Sequence, residues 1–460
     1  MENARSMPHV LVVPFPAQGH AQPLLDLAAL LAARGIRLTV VTTPANAPLL
    51  SPLLAAHPAS VQPLVVPFPA HPSLPAGLEN AKNCPPSYFA IFIHALAALH
   101  HPILAWARSN PVAAVLSDFF CGWTQPLAAE LGVPRLVFSP SGVLGTAVPH
   151  SLFRRSVKRP PDADDGYSVT FPSIPGELSY QWREISGTYR SYIEGRMEEQ
   201  VGEAVRQNFL WNLESWGFVS NTLRALEGRY LDSPLEDLGF KRVWAVGPLA
   251  PETDTSGELG GDLGAWLDGF PEGAVVYVCF GSQAVLTPAV AAALAEALER
   301  SAVPFVWAVG GGGEALPEGF EARASAAKRG LVVRAWAPQV AILRHAAVGW
   351  FMTHCGWNSA LEAVAAGVPM LAWPMAADQF VNARLLVDET RVAVRASAGG
   401  IGVVPDGGEL VAVLAEAVGE GGAGARARAK ELAAEAAVAT KGGGSSREDL
   451  ELLVEWIHKL

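Results

Sequence analysis

The sequence predicts a two-domain α/β protein, each domain built on a mostly parallel sheet with helices covering both faces. Three observations carry this prediction. The chain has 460 residues, short apolar runs alternate with helix-periodic segments, and the alternation restarts halfway along. A chain this long exceeds one simple core, and two domains of roughly 200 residues each are the natural division. Continuous apolar runs, rather than alternating ones, are what strands buried between two helix layers require.

The first run, His9–Pro16, reads as a buried strand ending in a loop. A helical stretch from Pro23 to Arg34 buries Leu24, Leu25, Leu27, Leu30 and Leu31, and Gly35 stops it before the strand Ile36–Thr42. Further strands are expected at Val61–Phe68, Ala113–Leu116, Arg135–Phe138 and Gly217–Val219, with helical stretches around 88–107 and 124–131. Between about 151 and 210 the pattern weakens. Tyr167, Phe171, Trp182, Tyr189, Tyr192, Phe209 and Trp211 there read first as packing residues, with a wall for a planar ligand as the alternative.

After Val243–Leu249, residues 250–264 are rich in Gly, Asp, Glu, Pro and Thr and read as the interdomain linker. Strands resume at Val275–Phe280, Phe305–Val309, Leu331–Ala335, Val348–Thr353 and Pro369–Trp373. Helices are expected at Pro288–Glu299, Val340–His345, Asn358–Ala366 and Gln379–Glu389. Ser445 and Glu448 have capping-box spacing before a helix ending near Leu460, which either finishes the second domain or crosses back to the first. The expected domains are 1–249 and 265–440, followed by the helix 441–460.

Composition narrows the function classes. Hydrophobic residues at 50% and charged residues at 17% are globular values. The formal charge of -11 gives no support to a nucleic-acid or anionic-membrane partner, although a local basic groove is compatible with an anionic ligand. Cys84, Cys121, Cys279 and Cys355 are too far apart for a metal quartet or a dense disulfide framework, as suits a reducing compartment. The apolar run from Val10 is broken by Pro14, Pro16, Gln18 and His20, so it is no targeting segment. No interval offers about 20 uninterrupted apolar residues for a membrane span. Cytoplasmic residence is the resulting expectation.

The interval Trp336–Gln379 is the most informative: WAPQVAILRHAAVGWFMTHCGWNSALEAVAAGVPMLAWPMAADQ. His354–Ser359 lies where a strand gives way to a helix whose first N–H groups lack intrahelical acceptors. Gly356 permits close approach, Asn358 and Ser359 add polar contacts, and His354 can donate without being cationic. A diphosphate suits such a cradle, and an ordinary strand–helix turn is the plain alternative. Trp336 is either a packed aromatic or a platform for a base. Asp378 and Gln379 either cap the next helix or meet a polyhydroxylated ligand.

Along all 44 residues this box resembles the donor signature of the plant secondary-product UDP-dependent glycosyltransferases, in glycosyltransferase family 1. The likeness extends through the opening VLVVPFPAQGHAQPLLDLA, the middle SNTLRALE and VCFGS, and on to the final helix. It implies two Rossmann-like domains facing across a cleft, the GT-B type. It also implies that Trp336 stacks on uracil, that Ala337 offers its backbone to the base, and that Gln339 and Glu362 meet the ribose. His354, Asn358 and Ser359, with Gly356 and with Ser282 from another loop, would hold the diphosphate. Trp357, Asp378 and Gln379 would face the sugar, and Gln379 at the end of the box favours glucose. Two departures stand out. Trp350 replaces a glycine frequent in the family, and Cys279 replaces a serine; altered packing rather than lost chemistry is expected from both.

His20, in Gln18–Pro23 just after the first strand, is by itself either a structural turn residue or a proton acceptor. Gly19 is expected to permit an unusual loop conformation and Pro23 to fit a helix's first turn. Asp118 ends a strand and would project on the same side of a parallel sheet, where it could orient one imidazole nitrogen. The resemblance implies that His20 is the general base, that Asp118 supports it, and that Phe15, Gly19, Tyr88, Phe119 and Ser141 border the acceptor.

The expected reaction is inverting transfer of glucose from UDP-glucose to a flavonoid or other phenolic hydroxyl, giving a β-O-glucoside. UDP-rhamnose or UDP-xylose as donor, a glucose ester as product, and a non-catalytic nucleotide-sugar-binding protein are the alternatives. UDP-glucose is a co-substrate, no prosthetic group or metal is expected, and the protein would be a monomer or weak dimer. A nicotinamide enzyme is disfavoured because Gly310–Gly313 precedes no direct helix start, and no phosphate-loop motif is present.

Overall fold

A computed structural model of the chain describes residues 7–250, 259, 261–281, 284–309, 316–334 and 336–460. The chain divides into two compact units. Unit 1 comprises Met1–Trp182, Ser186–Glu252 and Ala439–Leu460; unit 2 comprises Arg183–Ile185 and Thr253–Val438. Most of the expected linker 250–264 lies outside the described residues, and the helix Gly261–Leu267 begins within its last part.

Unit 1 is organised by a seven-stranded sheet, all of whose neighbouring strands run parallel. Its strands are β1 His9–Val13, β2 Arg37–Thr42, β3 Val61–Val65, β4 Ala114–Asp118 and β5 Arg135–Ser139. A two-stranded antiparallel hairpin follows, β6 Ser168–Phe171 with β7 Leu178–Gln181, before β8 Gly217–Ser220 and β9 Arg242–Ala245 complete the sheet. The order is β3-β2-β1-β4-β5-β8-β9, so the winding reverses between β1 and β4. At such a switch point the loops beyond the strand carboxyl ends diverge and leave room for a ligand.

Val10 and Val12 of β1 and Leu38 and Val40 of β2 share one core with Leu24, Leu27 and Leu31 of the helix Gln18–Ala32. The terminal helix Ser445–His458 contributes Leu450, Leu453, Val454 and Ile457 to that core. Trp456 stacks on Trp216 at 5.6 Å, and Asp449 accepts the Ala245 N–H at 3.0 Å, which ties the helix to the outer strand.

Unit 2 repeats the plan with β10 Val275–Cys279, β11 Phe305–Ala308, β12 Gly330–Val333, β13 Val348–Thr353, β14 Met370–Ala372 and β15 Ala393–Arg395. All neighbours are parallel, in the order β12-β11-β10-β13-β14-β15. The switch point falls between β10 and β13. Trp350 is fully buried in the core of this unit. A Cβ on Gly422 would lie 2.7 Å from the Trp350 ring, so the indole is accommodated where another layer lacks a side chain. Cys279 is only half-buried.

Several local expectations are corrected. The first helix starts at Gln18, so Pro23 sits inside it rather than in its first turn. Gly19 lies in that first turn and is not among the residues with positive φ, so no unusual loop conformation is required. The terminal helix starts at Ser445 with Gly444 as its N-cap and no side-chain cap, which removes the expected capping box. The segments Pro86–Tyr88, Phe89–Leu96, Ala97–Leu99 and His100–Ser109 form a helical run, Pro86–Ser109, long and apolar enough to cross a membrane by length and composition. Here Phe92, Ile93, Leu96, Leu99 and Ile103 of that run are buried inside the protein.

Glu227 is fully buried, and its carboxylate closes the start of the helix Val143–Arg155. It accepts the Val143 and Leu144 N–H groups, each at 2.8 Å, and the Thr222 hydroxyl at 2.6 Å. A Cβ on Gly142 would meet Glu227 Oε2 at 2.4 Å, so the approach demands glycine. Replacing Glu227 by Ala strands these buried donors and should cost about 3 kcal/mol, with Glu227→Gln losing less. Denaturant unfolding midpoints of the two variants measure this directly.

Candidate active site

The parallel register sets the candidate site of unit 1. β1 and β4 pair with Val13 opposite Ser117, so the loop after β1 and the end of β4 emerge side by side. His20, in the first turn of the helix that follows β1, bonds through Nδ1 to Asp118 Oδ2 at 2.9 Å. The Asp118 side chain is fully buried, whereas that of His20 retains 21% exposure. Asp118 Oδ1 accepts the Phe120 N–H at 2.8 Å, so both carboxylate oxygens have partners. With Nδ1–H donating to Asp118, a neutral His20 carries its lone pair on Nε2, the nitrogen that can take a proton.

Aromatic rings surround the imidazole. Phe15 meets it edge-on at 5.3 Å, Phe119 lies tilted at 5.4 Å, and Phe120 stacks at 5.1 Å with 27° between planes. Two of these contacts come from expected residues. Phe120 and Phe89, whose ring lies 5.9 Å from Phe15, are additional. Tyr88 is half-buried, just before Phe89 in the chain. Gly19 is exposed in the helix's first turn. Ser141 is a packed turn residue whose carbonyl accepts the Ser220 hydroxyl at 2.7 Å.

In unit 2, described by itself, a second candidate group lies at the switch point between β10 and β13. His354 follows β13, and its ring is confined by two glycines. A Cβ on Gly281 would come within 2.8 Å of the ring, and one on Gly356 within 2.4 Å of Nε2. Burial lowers its pKa to about 4. Cys355 adopts φ 62 at the turn, and its thiol, pushed up to about 12 by burial, is no nucleophile at neutral pH. Gly356 is the N-cap of the helix Trp357–Ala366 and no side chain caps it, so the first-turn N–H groups around Asn358 and Ser359 suit an anion.

Gln339 organises the next group. Its amide nitrogen donates to Glu362 Oε2 at 2.6 Å and Ser359 Oγ at 3.0 Å, while its oxygen accepts the Tyr277 hydroxyl at 3.3 Å. Burial raises the Glu362 pKa and the Gln339 bond partly offsets this. Trp336 is 70% exposed, a flat ring available for stacking, and the Ala337 carbonyl accepts the Gln339 N–H at 2.8 Å. Trp357 is instead largely buried.

Gln379 fixes the loop before its own helix, its Oε1 accepting the Met375 and Ala376 N–H groups at 2.9 Å each. Asn382, buried and absent from the sequence reading, donates to Cys355 O at 3.0 Å and to Asp378 Oδ2 at 3.1 Å. It thereby links the His354 turn to the Asp378–Gln379 turn. Ser282 and Gly310–Gly313 lie outside the described residues. Among the described residues no three His, Cys, Asp or Glu side chains gather as metal ligands would.

Comparison with known proteins gives a consistent pattern. The family profile described as "UDP-glucoronosyl and UDP-glucosyl transferase" matches residues 253–399. The flavonol 3-O-glucosyltransferase UGT89B1 of Arabidopsis thaliana is 45% identical over 477 residues, covering 100% of this chain and 98% of its own. The flavonol 7-O-rhamnosyltransferase of the same plant is 35% identical over 469 residues, covering 97% of each. The crystal structure of Arabidopsis thaliana UGT89C1 complexed with UDP-L-rhamnose matches at 35% identity and a TM-score of 0.78, over 98% of this chain and 99% of that one.

The lowered pKa of His354 has a signed consequence for stability. Unfolding releases the imidazole to its ordinary value of 6.5, against about 4 when folded. The unfolded chain therefore takes up a proton that the folded chain refuses as pH falls from 6.5 towards 4. Stability is retained above that window and lost within it. His150, also held near 4 by burial, adds to the loss. The thermal midpoint should fall across this range in the native protein and fall less in His354→Gln.

Proposed function

The chain belongs to the plant UDP-dependent glycosyltransferase family, and from that membership we propose that it glucosylates a small phenolic acceptor, a flavonoid or a relative of one. The donor is UDP-glucose and the products are a β-O-glucoside and UDP. The observation that carries the reading is the His20–Asp118 hydrogen bond within a ring of phenylalanines. An apolar aromatic surround selects a flat aromatic acceptor, and the paired imidazole supplies the base that its hydroxyl needs.

In the proposed mechanism the acceptor O–H gives its proton to His20 Nε2 as the oxygen attacks the anomeric carbon. The bond from that carbon to the diphosphate oxygen breaks, and its electron pair leaves with UDP. The configuration inverts in this single displacement. Asp118 stabilises the imidazolium that forms. N–H groups at the start of the helix Trp357–Ala366 and the neutral His354 would take up charge developing on the diphosphate. Trp336 would carry the uracil, while Glu362, held in place by Gln339, would accept from the ribose hydroxyls. Asp378, Trp357 and the Gln379 amide nitrogen would meet the sugar.

A second donor has a specific observation behind it, since one relative is a flavonol 7-O-rhamnosyltransferase. A solved relative has also been crystallised with quercetin, which supports the flavonoid class of acceptor. The proposed working form is a cytoplasmic monomer or weak dimer; four cysteines spaced too widely for a dense disulfide framework support a reducing compartment.

His20→Ala should lower kcat by roughly 100-fold or more while UDP binding, measured by calorimetry, persists. Undiminished turnover by this variant rejects the base assignment. In a mixed donor and acceptor panel read by mass spectrometry, UDP-glucose should outperform UDP-rhamnose and UDP-xylose. Dominant rhamnosyl transfer would replace the glucose assignment.

A further inference from the structure

We propose that Phe120 tunes the strength of the base, its ring face stabilising the protonated form of His20 during proton abstraction. The proposal rests on the reading of His20 as base and adds a residue to it. The Phe120 and His20 rings are stacked, 5.1 Å apart with 27° between their planes. An aromatic face carries the negative lobe of the ring quadrupole and attracts a cation within about 6 Å of its centre. A neutral imidazole gains little from that field and an imidazolium gains more. The stack therefore favours the state that His20 enters as it takes the acceptor's proton.

Two features hold the stack in place. Asp118 divides its carboxylate between the two partners, Oδ2 accepting from His20 and Oδ1 from the Phe120 N–H. The second of these bonds is the cap of the short turn Phe119–Cys121 that presents the ring. Phe120 then packs against Phe15 at 5.0 Å, Phe89 at 5.5 Å and Phe209 at 6.0 Å, which limits its rotamers. Base, carboxylate and ring thus form one unit.

The ionisable groups on the elements packed around His20 are few. Asp118 is its direct partner, and Asp26 on the same helix accepts from Gln22 at 2.9 Å. His94 lies on the helix Phe89–Leu96, and Cys121 ends the Phe119–Cys121 turn. The ring of His150 is 6.3 Å from Phe119. Arg135 donates to Ser117 Oγ, Cys121 O and Asn212 Oδ1. A Phe120→Leu variant leaves all of them present and replaces the ring with an apolar side chain, so desolvation of His20 changes little while the quadrupole is lost.

The test is the pH dependence of kcat/KM. In Phe120→Leu the acid limb should move to lower pH by about 0.5 to 1 unit, and Phe120→Trp should keep or raise it. An NMR titration of the His20 ring in the ligand-free protein should show the same displacement. A Phe120→Leu titration that overlays the native one, with only a raised KM for acceptor, overturns the proposal and leaves Phe120 as a pocket wall. That result with an inactive His20→Ala refutes the tuning alone, whereas an active His20→Ala removes the base reading beneath it.

Discussion

The hydrogen bond between His20 and Asp118 joins residues 98 positions apart, and it exists because β1 and β4 lie side by side and run the same way. Antiparallel strands would send the loop after one and the tip of the other to opposite edges. Parallel pairing at the point where the winding reverses brings two carboxyl ends together and leaves both loops room. The buried Asp118 then needs partners on both oxygens, because an unpaired buried carboxylate is too costly. His20 and the Phe120 N–H supply them.

Unit 2 uses the same constraint for different chemistry. Between β10 and β13 the winding again reverses, and Gly281 and His354 follow those two strands. Here the chain lays an imidazole between two glycines rather than against a carboxylate. Neither glycine tolerates a Cβ beside that ring, so the motif's glycines are legible as steric consequences of where His354 must lie. The helix that follows lacks a side-chain cap, which in an isolated protein would be a defect. In the proposed diphosphate cradle it would leave free the donors that a capping side chain would otherwise occupy.

The α/β class was legible because its strands are continuous apolar runs; β1, β4 and β5 are buried along their whole length. Several of the elements that escaped have weak patterns. The helix Ala423–Ala439 is built largely of Ala, Arg and Glu, so no apolar stripe announces it. β15 has three residues, and the hairpin β6-β7 sits in a Gly- and Pro-rich stretch that reads as loop. In the site, His20 and Asp118 were picked out by the family resemblance, since residue type alone left His20 as either a turn residue or a proton acceptor. Phe120 was not, because adjacent phenylalanines cannot be ranked without knowing which way the turn after Asp118 bends. Asn382 and Tyr277 were hidden for a related reason. Each acts through another side chain, on Asp378 and Gln339 respectively, and such pairs are set by tertiary packing rather than by spacing.

In the proposed reaction two histidines in two environments would take opposite parts in one displacement. His20 keeps partial exposure and a carboxylate at 2.9 Å, so a proton arriving on Nε2 produces a charge that already has a counterion. His354 is enclosed, and burial lowers its pKa to about 4, so near neutral pH it is an imidazole and not a cation. Beside the diphosphate of the proposed donor, a neutral group would attract it less in the ground state than a fixed positive charge would. It can still strengthen its hydrogen bond as charge builds on the departing oxygen. Exchanging the two surroundings would reverse both properties, leaving a base too weak to take a phenolic proton and a cradle that binds UDP strongly before and after transfer. The two proposed roles therefore follow less from the motifs that carry the histidines than from what each strand end places next to them.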